Sequence, residues 1–229
     1  MAADAANHVR GAVNLAASVA GQIEDLIAKG LLVPGQRLVE ADLERQLQVG
    51  RMPIREALRL LAGDGLIEII PNRGARVRSM SPRDIADMLK VLVGLLFVAL
   101  DDFPQLPDHE GNIARLQSIV DRIRFDLDRH DKYAIIASAG EFETELVRLT
   151  RNAYLLESIK RVHFRYYSRQ FCRFFPYDDI ANIGLGYFEM IEFLREKQIE
   201  PIKDYMRRSV RHATSVLYAV PADFGALYD

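Results

Sequence analysis

The stretch Arg51-Met52-Pro53-Ile54-Arg55-Glu56-Ala57-Leu58-Arg59, followed closely by Pro71-Asn72-Arg73-Gly74, decides how this chain is read. Ile54, Leu58 and Leu61 recur at helical spacing and face a core, while Arg51, Arg55 and Arg59 share the opposite side. Pro53 fits the first turn of such a helix, where the early amides lack intrahelical partners. A helix with arginines one turn apart at its start can point two guanidiniums into a DNA major groove. A short basic hairpin just downstream can lie along the neighbouring backbone.

The flanking sequence builds the rest of that unit. Upstream, Ala16, Val19, Ile23, Leu26 and Ile27 recur at helical spacing, and Gly30 follows as a stop. Pro34-Gly35 is a turn signal. Val39, Leu43 and Leu47 suggest a second short helix, with Glu40 and Asp42 in the first turn, where the helix dipole favours anions. Gln48-Val49-Gly50 makes a tight connection, with Gly50 expected at the bend because it lacks a Cβ. Gly63 and Gly65 end the arginine-bearing helix. Residues 66–70 and 75–78 then read as two strands around the loop Pro71 to Gly74. Gly74 is expected at positive φ, with Arg73 reaching the minor groove or its backbone. Three arginines at a spacing of four usually mark only a solvated face. The order helix, helix, tight turn, basic helix, basic hairpin argues instead for a winged helix-turn-helix over residues 9–79, which binds double-stranded DNA.

Composition bounds the alternatives. The chain has 229 residues, is 49% hydrophobic and carries a formal net charge of −2, which argues against binding nucleic acid by bulk charge. Residues 51–78 nevertheless hold six arginines against Glu56, Asp64 and Glu68, so the proposed reader is locally basic. Cys172 is the only cysteine, which excludes an internal disulfide and suits a reducing cytoplasm. Met1 to Ala12 lacks an apolar signal core, and the run Val91 to Leu100 is too short to span a bilayer. There is no nucleophile elbow, phosphate loop or paired His/carboxylate motif, so no catalysis is expected.

Ser81-Pro82-Arg83-Asp84 marks a boundary, with an N-cap serine and an acid three residues later. Beyond it the chain reads as helices near 82–100, 111–129, 132–150, 153–175, 183–197 and 199–219. The fold class is therefore mainly α: a winged unit with a small β-hairpin, then an all-helical bundle over residues 80–220. Arg161, Arg165, Arg169 and Arg173 form one helical stripe, facing solvent or acidic residues of a neighbouring helix. Tyr166, Tyr167 and the phenylalanines around them suit core or a dimer interface.

The segment Ile27 to Val77, with Leu31-Leu32-Val33-Pro34-Gly35-Gln36-Arg37-Leu38-Val39-Glu40 and Pro53-Ile54-Arg55-Glu56-Ala57-Leu58, resembles the DNA-binding domain of GntR-family bacterial transcription regulators. The family usually has Ser or Thr where Gly50 stands and Thr where Met52 stands, which bears on the operator sequence. The resemblance implies a homodimer on a palindromic operator. Its DNA-contacting residues would be Arg37, Arg51, Met52, Pro53, Arg55, Arg59, Arg73 and Gly74. Arg51 and Arg55 would reach base edges, while Arg37 and Arg59 would lie nearer phosphates.

A reader of this kind followed by about six helices is similar to the FadR subfamily, whose ligand-binding domain is called FCD, and six helices resembles its VanR-like branch. Phe142-Glu143-Thr144-Glu145-Leu146 through Thr150-Arg151-Asn152 matches that family's spacing. Many FCD domains hold a divalent metal with one Asp and three His. The resemblance places those positions at Ala139, Glu143, Tyr187 and Ser209, so no metal and no other cofactor is expected. His8, His109, His130, His163 and His212 have no metal-ligand partner at one-turn spacing. A rearranged site using Glu143, Glu189 and His212 is the alternative. Leu92-Val93-Gly94-Leu95-Leu96-Phe97 stands where relatives carry an Arg-x-x-x-Glu pair, so a small apolar or aromatic effector is expected. Leu92, Leu96, Glu143, Tyr166, Tyr187 and Ser209 are its candidate contacts. Two other readings are an effector-independent DNA binder with a filled cavity and a metal-dependent helical module attached to a DNA reader.

Overall fold

The computed structural model describes residues 2–71, 74–162 and 164–221, with side-chain surroundings for all of these except 2–13, 164 and 165. Contacts divide the chain into two units, Met1–Ser79 and Met80–Tyr228. In the first, α1 (Ala2–Ala28) packs Val19, Ile23 and Ile27 against α3 (Arg51–Gly63). Helix α3 buries Ile54, Ala57, Leu58 and Leu61, and α2 (Glu40–Leu47) adds Leu43. The apolar spacing of three to four residues has thus put one stripe of each helix into a shared core.

The turn between α2 and α3 corrects one expectation. Gln48, the C-cap of α2, takes the left-handed conformation at φ 54°, whereas Gly50 is the extended N-cap of α3 at φ −70°. The bend therefore falls before Gly50 and asks nothing special of it. A Cβ at position 50 would meet nothing within 4 Å.

Strands β2 (Ile67–Ile70) and β3 (Gly74–Val77) pair antiparallel, Ile67 opposite Val77 and Ile70 opposite Gly74. Gly74 does lie at positive φ (88°), a region that side chains with a Cβ rarely adopt. Asn72 and Arg73 lie outside the described residues. A further strand, β1 (Arg37–Leu38), pairs with β3 and gives the sheet order β1-β3-β2. Two residues long, it has no pattern of its own. It exists because Arg37 and Leu38 find Arg76 and Ala75 as partners.

The second unit begins where the capping pattern indicates. Ser81 Oγ accepts the Asp84 N–H at 3.1 Å, and Asp84 Oδ2 accepts the Ser81 N–H at 3.0 Å, opening α4 (Pro82–Asp102). Helices α5 (His109–Asp128), α6 (Lys132–Leu149), α9 (Tyr177–Arg195) and α10 (Ile199–Ala219) enclose a core with α4 around Leu96, Leu100, Phe103, Leu116, Ile123 and Phe142.

The expected helix over 153–175 is helical on either side of His163, as α7 (Ala153–Val162) and α8 (Phe164–Cys172). His163, between them, lies outside the described residues. Arg161 pairs with Glu157 on its own helix at 2.7 Å, and Arg169 sits over the Tyr133 ring at 4.6 Å. Helix α8 stops at Cys172, where Lys132 Nζ donates to the carbonyls of Cys172 (2.8 Å) and Phe175 (3.0 Å). Helix α9 starts at Tyr177, well before the expected 183. Pro176 is its N-cap, and Asp178 and Asp179 occupy the first turn, which makes this segment a helix start rather than a break.

The vacant cap of α3 generates a prediction. Gly50→Ser supplies a side-chain acceptor on a backbone that already suits it, so stability should rise by roughly a few tenths of a kcal/mol. A higher urea midpoint with unchanged slope is the expected result. A lower midpoint would mean that position 50 needs glycine after all.

Candidate DNA-reading face and buried cavity

Arg51 and Arg55 stand one turn apart on the solvent side of α3 and share one acceptor. Arg51 Nε donates to Glu40 Oε2 at 2.8 Å, and Arg55 Nε donates to Glu40 Oε1 at 2.9 Å. These bonds, Arg51's first, hold the Glu40 carboxyl below the usual carboxylate range, so it stays ionised. The Arg51 side chain is 63% exposed. At such exposure an ion pair adds little stability. What the contact supplies is direction, engaging Nε and leaving the Nη edges of both guanidiniums turned to other partners. Sequence reasoning gave Glu40 only a helix-dipole role. The signal it passed over is a carboxylate in the first turn of the helix preceding an Arg-x-x-x-Arg start.

A concavity of about 540 Å³ on this unit is lined by Arg37, Glu40, Arg51, Arg55 and Arg59 together with Ile69, Pro71 and Gly74 of the hairpin. The structure thus gathers four of the candidate arginines and Gly74 on one face. Arg59 is held by Glu56, one turn earlier on the same helix, at 2.6 Å. Met52 is exposed and Pro53 half-buried, and neither lines the concavity. Arg73 falls outside the described residues.

In the helical unit a cavity of about 90 Å³ lies between α4, α6, α8, α9 and α10. Its wall includes Leu92, Ala139, Glu143, Tyr187 and Ser209, so the four positions that the resemblance assigned to metal ligands do converge. Leu96 and Tyr166, two of the candidate contacts, do not line it. Leu96 is fully buried one turn beyond Leu92, in the core, and Tyr166 lies nearer the start of α8 than Phe171, which does reach the cavity. Tyr205, Met190 and Met206 were not foreseen. They are apolar or aromatic residues of ordinary helical stripes and carry no local mark of a cavity.

Tyr187 donates its hydroxyl hydrogen to Glu143 Oε1 at 3.0 Å, and the Phe142 ring meets Tyr187 edge-on at a centroid distance of 5.0 Å. Glu143 keeps some accessible surface as part of the wall, yet protein surrounds its carboxyl group. Burial pushes its pKa up to about 7, with the Tyr187 hydrogen bond opposing in part. Burial first, and then Glu143, also raises Tyr187 well above its usual range. Tyr205 approaches α9 so closely that a Cβ at Gly186 would fall 2.0 Å from its hydroxyl oxygen. Only glycine leaves room for that ring.

One carboxylate, two phenols and a serine hydroxyl, with no imidazole, do not fit a first-row divalent ion. Glu189 and His212 stay outside the lining, and His212 Nε2 faces Asp179 Oδ2 at 3.8 Å. Among the described residues no three His, Cys, Asp or Glu side chains are grouped to hold a metal.

A helix whose outer face carries arginines, set behind two packed helices and beside an antiparallel hairpin on the same concavity, defines a winged helix-turn-helix DNA-binding protein. Residues 15–77 match the model for bacterial regulatory proteins of the gntR family, so the first unit is a DNA-binding domain of GntR type. The chain is similar over 194 residues, at 26% identity, to the HTH-type transcriptional regulator YdhC of Bacillus subtilis (strain 168), a match that covers 83% of this chain and 85% of that protein. Two solved structures share the fold. E. coli McbR/YncC gives a TM-score of 0.75 at 19% identity, covering 89% of this chain and 97% of its own. The transcriptional regulator GntR from Rhodococcus sp. RHA1 gives 0.76 at 22% identity, covering 90% and 99%. These relatives are transcription regulators rather than enzymes. No helix among the described residues is long and apolar enough to cross a membrane.

The raised pKa of Glu143 makes stability depend on pH with a definite sign. Between its ordinary 4.5 and about 7, the unfolded chain releases this proton while the folded chain keeps it. The folded state then binds more protons, so stability falls as pH rises through this window and levels off above it. Urea unfolding of the wild type and Glu143→Gln, compared from about pH 5 to pH 8, should show the wild type losing ground over that interval. A pH-independent difference would mean that the carboxyl is not buried as described.

Proposed function

We propose that this chain is a FadR-subfamily regulator. Residues 9–79 read a palindromic operator as part of a homodimer, and residues 80–220 form an FCD-type domain that answers to a small, mostly apolar molecule without a metal ion. The observation that carries the DNA reading is the shared acceptor Glu40, which aims Arg51 and Arg55 from one concave, arginine-rich face. Base edges are the partners that a fixed guanidinium fork suits best, guanine N7 and O6 above all. Arg59 and Arg37, at the margin of the same face, suit phosphates. The setting for this activity is the cytoplasm.

Self-association is supported by α4, where Val91 and Val98 are exposed and Leu95 between them is only partly covered, leaving an apolar line on one helix face. Such a face suits a second copy of the same helix, and a two-fold pair of readers matches a two-fold operator. The unfilled space beside Glu143 favours a domain that takes a ligand over one with a packed-shut interior.

Two expected outcomes test this reading. Replacing Arg51 or Arg55 by Ala should weaken operator binding by about 1–3 kcal/mol and relax sequence preference, whereas Arg59→Ala should weaken all sequences alike and flatten the salt dependence. Fluorescence anisotropy on the operator and on scrambled DNA measures both, and an Arg51→Ala protein with unchanged affinity and selectivity would sink the assignment. Separately, Val91→Asp combined with Val98→Asp should yield a folded monomer in sedimentation equilibrium. A dimer surviving both changes would place the interface elsewhere.

A further inference from the structure

The polar atoms of the cavity share a property that fixes the kind of ligand head it takes. Among the described residues, Glu143 is the one formally charged residue in the lining, and no lysine or arginine lines the cavity with it. Burial and the Tyr187 hydrogen bond are the influences acting on its carboxyl group, with no cation among them. Tyr187 has already given its hydroxyl hydrogen to Glu143. Tyr205 directs its own to the carbonyls of Asn182 (3.3 Å) and Ile183 (3.4 Å), and Ser209 is hydrogen-bonded to Tyr205. With Glu143 ionised, what faces the cavity is therefore lone pairs: carboxylate oxygens and phenolic oxygens whose hydrogens are committed. A carboxylate can accept several hydrogen bonds, and Glu143 receives one from the protein.

Such a site repels a carboxylic acid or phosphate and satisfies a group rich in N–H donors. The rest of the wall, including Leu89, Leu92, Val93, Ile136 and Met206, is apolar and holds a hydrocarbon body. Size narrows the choice further. At about 90 Å³ the cavity is smaller than the dry cavity of roughly 150 Å³ known to take benzene, so it has room for a polar head and only a short chain.

We infer that the cavity binds a small aliphatic ammonium ion, its N–H groups on Glu143 and the phenolic oxygens and its alkyl chain against the leucine and isoleucine wall. This rests on the reading of the helical unit as a sensor and names its ligand class. The organic cation takes the place that a metal ion holds in the domains this one resembles. An ammonium head brings three donors to a wall of acceptors, and pairing with it returns Glu143 to its ionised form.

Three small probes separate charge from shape: ethylammonium, ethanol and acetate. Isothermal titration calorimetry on the full chain at about pH 8, where Glu143 is ionised, should give binding of ethylammonium at least about tenfold tighter than ethanol, and no binding of acetate. In Glu143→Gln the ammonium preference should vanish while the alcohol still binds. If that variant does not fold, the ranking of the three probes on the wild type decides alone. Ethanol or acetate binding as tightly as the ammonium ion would overturn the ligand class while leaving the sensor reading in place. If none of the three binds a protein that still holds its operator, the inference falls together with the sensor reading, and the DNA-binding reading stands.

Discussion

Helix α3 has to satisfy two surroundings at once, and the first unit is arranged around that requirement. Its inner side buries Ile54, Ala57, Leu58 and Leu61 against α1 and α2. Its outer side keeps three arginines in water, where their hydration costs nothing. A helical period of 3.6 residues makes both possible only if the arginines stay at a spacing of four, and Arg51, Arg55 and Arg59 do. The apolar side sets the helix's position and rotation, and burial of four such side chains is worth far more than any exposed ion pair. The Glu40 contact then acts on what packing leaves loose, the swing of two long side chains.

Local signals carried the sequence reading where structure is made locally. The apolar stripe of α3, the Ser81/Asp84 capping box and the positive φ of Gly74 each depend on a few neighbouring residues, and each stands where the sequence put it. Strand β1 could not be read in this way, because Arg37-Leu38 becomes a strand only through Arg76 and Ala75 across the sheet. The end of α8 depends likewise on Lys132, forty residues away in the chain. Of the cavity, Glu143, Tyr187, Ser209 and Leu92 were legible through a resemblance in spacing. Tyr205 and the methionines were not, since nothing in an amphipathic helix distinguishes residues beside a void from residues beside another side chain.

The second unit places a carboxyl group among leucines, isoleucines and methionines, an arrangement that costs free energy unless the group is neutral or paired. Tyr187 meets part of that cost with one hydrogen bond, and the raised pKa of Glu143 registers the remainder. Cys172 is a contrasting buried group. Its thiol, pushed up to about 12 by burial, is unreactive and packs as a small apolar residue in the same core. The difference is that Glu143 borders open space and Cys172 does not.

Sharing one carboxylate between two guanidiniums has a consequence for how the reading face can diverge. Loss of Arg51 leaves Glu40 wholly to Arg55, and loss of Glu40 frees both arginines together, so substitutions at these three positions act non-additively. Whatever DNA positions the two arginines address, neither can be retuned without disturbing its neighbour. A lineage that changes its target sequence at this face must pass through coordinated replacements, and proteins that keep Glu40 are confined to operators that suit both arginines at once.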